Sequence, residues 1–222
     1  MNNVHVILHV AAMGDFWRET AADLLARIDA SGLYDGAKSC HLRIVGGGSD
    51  RYLPHRGMPK WDTVIKGEVL DWEYPTLRQV WDISRSDSTS KILYLHSKGV
   101  SSPAVGNGAY EGRDWREKWR RQMCFHVINR WRECVDLLDR FDTVGANYLD
   151  LNPIGPHFAG NFWWARADWI NQLPDPLERT ADRYFAEVWL LSRPGARTHD
   201  LYPNGITNLH DDFLTDAYRA NN

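Results

Sequence analysis

The sequence predicts an α/β protein with a mostly parallel central sheet flanked by helices. Two observations predict it. A β-branched run, Val4 to Val10, is followed by residues at helical spacing and then by a second apolar run, His41 to Val45. A third apolar run, Lys91 to Leu95, follows another helical pattern and opens into a long polar stretch. Strand, helix, strand in that order is the opening of a parallel sheet, because parallel neighbours need a crossover.

The elements follow in order. Val4-His5-Val6-Ile7-Leu8-His9-Val10 reads as a buried strand bounded by Ala11-Ala12-Met13-Gly14. Asp15 is placed to cap the next helix, whose apolar face is Trp17, Ala21, Leu24, Leu25 and Ile28. Gly32 and Asp35-Gly36 end that unit. Residues 49–62 hold Pro54, Gly57 and Pro59 and read as loop. A helix follows Pro75, with Leu77, Val80, Trp81 and Ile83 on one face. Residues 97–112, rich in Gly and Ser, read as a long functional loop. Asp114 to Arg140 reads as one long helix, with Trp115, Trp119, Met123, Val127, Trp131, Cys134 and Leu138 as its stripe. Its basic run Arg113, Arg116, Lys118, Arg120 and Arg121 reads as a solvated face, with attraction to phosphate or anionic lipid as the alternative. Phe141 to Ala146 reads as a strand, and His157 to Ala165 as a strand or strand-to-helix junction. Asp168 to Ile170 starts a short helix. Asp182 to Leu191 reads as the last helix, ended by Pro194-Gly195.

Composition bounds the function. The chain has 222 residues, enough to bury roughly 70% of its unfolded surface as one domain. Residues 1–222 therefore read as a single domain. A net charge of -3 and a pI of about 6.3 do not suggest a general nucleic-acid binder, whose domain is usually strongly basic. Cys40, Cys124 and Cys134 are odd in number and form no Cys-x-x-Cys pair, which fits a reducing compartment. No apolar run reaches the ~20 residues that span a bilayer, and Val4 to Met13 lacks the basic flank of a signal peptide. A cytoplasmic location is expected, with peripheral contact at the inner membrane face left open. The 11 Trp exceed what such a core needs, and flat indoles suit the apolar faces of sugar rings. The plainer reading is that most are packing residues.

Open α/β sheets bind ligands at the carboxyl ends of their strands. Three segments qualify. His9 to Gly14 joins the first strand to the first helix, where small residues such as Ala11 let a ligand approach the backbone. His96-Ser97-Lys98-Gly99 ends a strand in three polar side chains and a Gly. Lys98 there suits a diphosphate, Ser97 a hydrogen bond to it, and His96 an oxygen or a metal. The third segment runs from His157 through Gly160 and Asn161 to Trp163 and Trp164. It offers an amide for hydroxyls beside rings that stack on sugars. A carboxylate for proton removal is found in Glu187, with Arg183 one helical turn before it.

At these residues the chain resembles a family of bacterial and viral glycosyltransferases with a GT-A-like, nucleotide-diphospho-sugar transferase fold. The resemblance is carried by Tyr94-Leu95-His96-Ser97-Lys98-Gly99, Gly160-Asn161-Phe162-Trp163-Trp164 and Ala186-Glu187-Val188-Trp189, in that order. Glu73-Tyr74-Pro75-Thr76-Leu77 and Val144-Gly145-Ala146-Asn147-Tyr148 look like the family too. It implies a nucleotide-sugar donor, UDP-linked, bound by residues 1–112 through His9, Ala11, His96, Ser97, Lys98 and Gly99. It implies a glycan or lipid-linked glycan acceptor in residues 113–222, held by His157, Gly160, Asn161, Trp163 and Trp164, with Glu187 catalytic. Such enzymes build surface polysaccharides such as O-antigen or capsule, alongside other transferase domains. One departure matters. Many GT-A enzymes hold Mn²⁺ or Mg²⁺ by an Asp-x-Asp, whose place here is taken by His96-Ser97-Lys98. A lysine there repels a cation, so no metal ligand is assigned; His210, Asp211 and Asp212 are the alternative. The rival readings are a non-catalytic carbohydrate-binding module and an inactive transferase-like subunit.

Overall fold

The computed structural model describes residues 3–46, 58–65, 71–97, 113–151, 154–179, 182 and 184–203. Nine strands are found among them: β1 Val4–Ala11, β2 Ser39–Val45, β3 Trp61–Ile65, β4 Lys91–His96, β5 Thr143–Gly145, β6 Tyr148–Leu151, β7 Gly155–Phe158, β8 Trp163–Arg166 and β9 Thr198–Asp200. The α-helices are α1 Trp17–Ala30, α2 Leu33–Gly36, α3 Tyr74–Ser86, α4 Arg113–Cys124, α5 Trp131–Leu137, α6 Ala167–Ile170 and α7 Phe185–Val188. Seven strands form one sheet in the order β3-β2-β1-β4-β8-β5-β9, and β6 pairs with β7 as a separate hairpin. β8 is antiparallel to both β4 and β5, while the other sheet pairings are parallel. The α/β architecture expected from the sequence, a mostly parallel central sheet flanked by helices, is therefore present.

The chain runs outward from β1 to β2 and β3, then returns to place β4 on the other side of β1. In open α/β sheets such a reversal is where ligands bind, in the crevice beyond the carboxyl ends of the strands, here those of β1 and β4. β1 is buried along its length except at Ala11, as expected for a strand covered on both faces. Val6, Leu8, Val10, Leu42, Leu93, Leu95 and Trp164 pack on one face with α1 and the α4–α5 region. Ile7, Ile92, Tyr94, Trp163 and Ala165 pack on the other with α3, α6 and α7. Alternation along a strand thus sends Trp163 and Trp164 into opposite halves of the core.

Several expectations need correction. The long helix over 114–140 is divided into α4, a π turn at Phe125–Asn129 and α5. Two side chains explain the break. The Trp164 indole N–H donates to the Val127 carbonyl at 2.8 Å, and the Cys134 thiol lies 3.4 Å from the His126 carbonyl. Donors that take helix carbonyls from outside the ladder widen or kink it. Arg120 of the supposed solvated face is buried, with its guanidinium 3.9 Å from Asp23. Asp15 does not cap α1, whose N-cap position is Phe16 without a side-chain bond. The last helix is shorter than expected: α7 is one turn, followed by a 3₁₀ turn at Trp189–Leu191. The 157–165 segment resolves into β7, a turn and β8, and β3 begins inside the stretch read as loop.

Most of the described tryptophans are core residues. Trp17, Trp61, Trp119, Trp131, Trp163, Trp164, Trp169 and Trp189 are all buried. The three cysteines are buried and free, and burial pushes each thiol up to about 12. Among the described residues no helix is long and apolar enough to cross a membrane.

Packing around β5 is tight. A Cβ at Gly145 would lie 2.6 Å from the buried Phe158 ring. Gly145→Ala is therefore expected to cost about 1–3 kcal/mol of stability, read from urea unfolding midpoints at constant slope.

Candidate functional site

The site is built where β1 and β4 end. His9 lies opposite His96 on β4 and opposite Arg43 on β2, so the three occupy one row across the sheet. Over this row sits the start of α3. Trp72, left-handed at φ 51°, turns the chain into the N-cap residue Glu73. Pro75 follows in the first turn, where its missing N–H costs nothing.

Glu73 is the centre. Its Oε2 accepts the Tyr94 hydroxyl at 2.5 Å and the Asn161 side-chain amide at 2.7 Å. Its Oε1 lies 3.2 Å from His96 Nδ1. The other ring nitrogen of His96, Nε2, lies 2.6 Å from the Gly160 carbonyl. The Glu73 and His96 side chains are only 15% and 12% exposed. Burial works against the Glu73 charge, but His96 and the Tyr94 hydroxyl outweigh it and hold the carboxyl below the ordinary range. His9 is held differently. Its Nδ1 meets the Thr76 hydroxyl at 2.7 Å, and burial lowers its pKa to about 4, so it is neutral. Arg43 is tied to Gln79 Oε1 at 2.8 Å through one terminal nitrogen.

Asn161 closes a ring of contacts. It is left-handed at φ 56°, a conformation asparagine tolerates better than most residues. Its amide donates to Glu73 and to the Ala186 carbonyl, the latter at 3.3 Å. Its Oδ1 accepts the Trp163 indole N–H at 2.7 Å. Trp163 stacks on Tyr94 with centroids 5.0 Å apart, and Tyr94 returns to Glu73. Gly160 makes the approach: a Cβ there would meet Met123 Sδ at 2.4 Å, and its φ is 89°.

The residues picked from the sequence fall in several places. His9, His96, Gly160 and Asn161 come together around Glu73. Ala11 and Ser97 lie beside them as a backbone clasp. The Ala11 N–H donates to Ser97 Oγ and the Ser97 N–H to the His9 carbonyl, both at 2.9 Å. Trp163 and Trp164, at 1% and 0% exposure, present no ring face to solvent, and Trp163 touches the site from behind through Asn161. His157 is buried on β7, with Nδ1 2.9 Å from the Gly155 carbonyl. Glu187 is half-buried on α7, next to Ala186. Lys98, Gly99, Arg183, His210, Asp211 and Asp212 lie outside the described residues.

Glu73 itself had no role assigned from the sequence. Its signal was local, a carboxylate before Tyr74-Pro75 at a helix start. Its partners lie 21 and 88 residues away.

The donor set at the end of β4 does not fit a divalent cation. Hard cations need open oxygen ligands. Both His96 nitrogens face acceptors, and the Ser97 hydroxyl oxygen already accepts an amide. Among the described residues no group of three His, Cys, Asp or Glu is arranged to hold a metal.

The buried His9 makes stability depend on pH. Its folded pKa, about 4, lies below the ordinary 6.5, so the unfolded chain binds the extra proton between those values. Stability is therefore full above that window and falls as pH drops through it. The His9 share is about 2 kcal/mol at pH 5. Urea unfolding at pH 7 and pH 5 should show His9→Gln losing about that much less than wild type.

No curated protein matches the chain. Three solved structures are loosely similar in backbone course. One is a nominal nucleotide-diphospho-sugar transferase from Desulfovibrio desulfuricans G20, at 10% identity and TM-score 0.38, covering 91% of this chain and 80% of that one. Another is a 4-diphosphocytidyl-2C-methyl-D-erythritol synthase, at 11% identity and TM-score 0.43, covering 99% and 96%. The third is Rv0371c from Mycobacterium tuberculosis H37Rv, at 17% identity and TM-score 0.43, covering 99% and 97%. A family model described as Domain of unknown function (DUF8361) matches residues 69–181, a stretch holding Glu73, Tyr94, His96 and Asn161. That match takes in half of the chain, and the chain belongs to this family.

Proposed function

We propose that the chain is a glycosyltransferase that moves a sugar from a nucleotide-diphosphate donor, UDP-linked, to a glycan acceptor. The observation that carries the reading is the buried polar cluster of Glu73, His96, His9 and Asn161 at the strand reversal between β1 and β4. Crevices at such reversals take nucleotides in open α/β sheets. The motif resemblance around Tyr94 to Gly99 and Gly160 to Trp164 points the same way.

In this reading residues 1–222 act as one domain, with the donor half at about 1–112 and the acceptor half at about 113–222. His9, Ala11, His96, Ser97, Lys98 and Gly99 line the donor side, and Lys98 offsets diphosphate charge. His157, Gly160 and Asn161 form the acceptor side, backed by Trp163 and Trp164. Glu187 takes the acceptor hydroxyl proton if configuration inverts. The product would be a surface polysaccharide of the O-antigen or capsule kind, made near the inner membrane face. No step is routed through a metal. A carbohydrate-binding module is less well supported, since it needs exposed indoles and those described are buried or half-buried.

Thermal-shift screening against UDP, GDP, CMP and dTDP sugars tests the reading. A donor at 100 times its Kd should add about 2.7 kcal/mol to stability and raise Tm accordingly. Lys98→Ala should weaken UDP binding by about tenfold, the scale of one lost charge-assisted contact. Glu187→Gln should bind donor unchanged but lose transfer by about 10²-fold or more. No response to any nucleotide overturns the proposal.

A further inference from the structure

We infer that Glu73 and His96 form a fixed carboxylate–imidazolium pair that positions the Gly160–Asn161 turn and occupies the place a divalent cation would need at the end of β4. The consequence for sugar transfer rests on the glycosyltransferase reading; the pair itself does not.

Donors and acceptors fix the proton positions. His96 Nε2 lies 2.6 Å from the Gly160 carbonyl, which only accepts, so Nε2 carries a proton. His96 Nδ1 lies 3.2 Å from Glu73 Oε1. One proton must lie between them. The other Glu73 oxygen already receives two donors, Tyr94 and Asn161, and both favour the ionised carboxylate. The proton therefore belongs on Nδ1, and both His96 nitrogens carry hydrogen. The remaining neighbours agree. His9 beside it is neutral, and the Arg43 guanidinium is turned to Gln79.

Such a ring has no lone pair for a metal, and the pair is neutral overall, so it draws no cation. It does fix geometry. His96 pins the Gly160 carbonyl while Glu73 pins the Asn161 amide. Those two residues hold the left-handed turn into β8 at φ 89° and 56°. Glu73 is thus a positioning residue, joining the end of β4 to the turn on the acceptor side.

Ring ¹⁵N spectra of the full chain labelled at histidine test this, with His96 assigned by its loss in His96→Gln. At pH 7 wild type should show both His96 nitrogens protonated. One unprotonated His96 nitrogen overturns the pair. Added Mn²⁺ should broaden the His96 signals no more than those of His5, at the opposite end of β1. Selective broadening at His96 overturns the exclusion of the cation. Glu73→Gln should return the ring to a single proton, and Glu73→Asp should restore the second; an unchanged ring in Glu73→Gln overturns the role of Glu73. The wild-type spectra decide the protonation even if Glu73→Gln does not fold. UDP titration separates the two readings. A doubly protonated His96 in a chain that binds no nucleotide leaves the pair standing and removes the transferase. Nucleotide binding with a singly protonated His96 does the reverse.

Discussion

A carboxylate taken out of water must be answered by donors, and at Glu73 that demand organises the site. An uncompensated buried charge costs several kcal/mol, so each partner is fixed as firmly as the charge itself. Tyr94, Asn161 and His96 supply the donors. The Trp163 ring completes the circuit by stacking on Tyr94 and donating to Asn161. Strand β4, strand β8 and the start of α3 are held in one arrangement by a single side chain. The left-handed backbone at Trp72 and Asn161 is tolerated because this network over-determines it.

The sheet supplies the place. Its strand order reverses beside β1, and the carboxyl ends of β1 and β4 at that point are where open α/β sheets bind ligands. Register then puts His9 level with both His96 and Arg43, and alternation aims all three to the face that α3 covers. The opposite face carries an unbroken apolar set from Val6 to Trp164. On β1 and β4 both faces build core, and on the face that α3 covers the apolar run gives way to His9 and His96 at the carboxyl ends.

Much of this was legible in the sequence, for identifiable reasons. β1, β2, β4, α1 and α3 are long or strongly patterned, and their local signals agree with the fold. His96 and Asn161 were legible because polar residues interrupt apolar runs there. Short elements such as β3 and β9, and the true length of the last helix, were not, since tertiary pairing rather than pattern defines them. The division of the 114–140 helix depends on Trp164 and Cys134 reaching the carbonyls of Val127 and His126, contacts no window of sequence contains. Indole count suggested sugar platforms, yet the same rings fill a large core. Glu73 stood in plain view at a helix start, but a buried carboxylate is told from an exposed one only by its partners, and these come from distant strands.

The reversed direction of β8 has an architectural consequence. Residues of β1 and β4 reach the crevice as the chain leaves its strands, whereas Gly160 and Asn161 reach it as the chain enters one. The end of β4 and the turn before β8 thus meet at one edge while being anchored from opposite chain directions. A length change after His96 need not alter the register of β8, and a change in the β6–β7 hairpin need not move the end of β4. The two sides of the crevice are free to diversify separately, with Glu73 as the hinge-pin that keeps them in step.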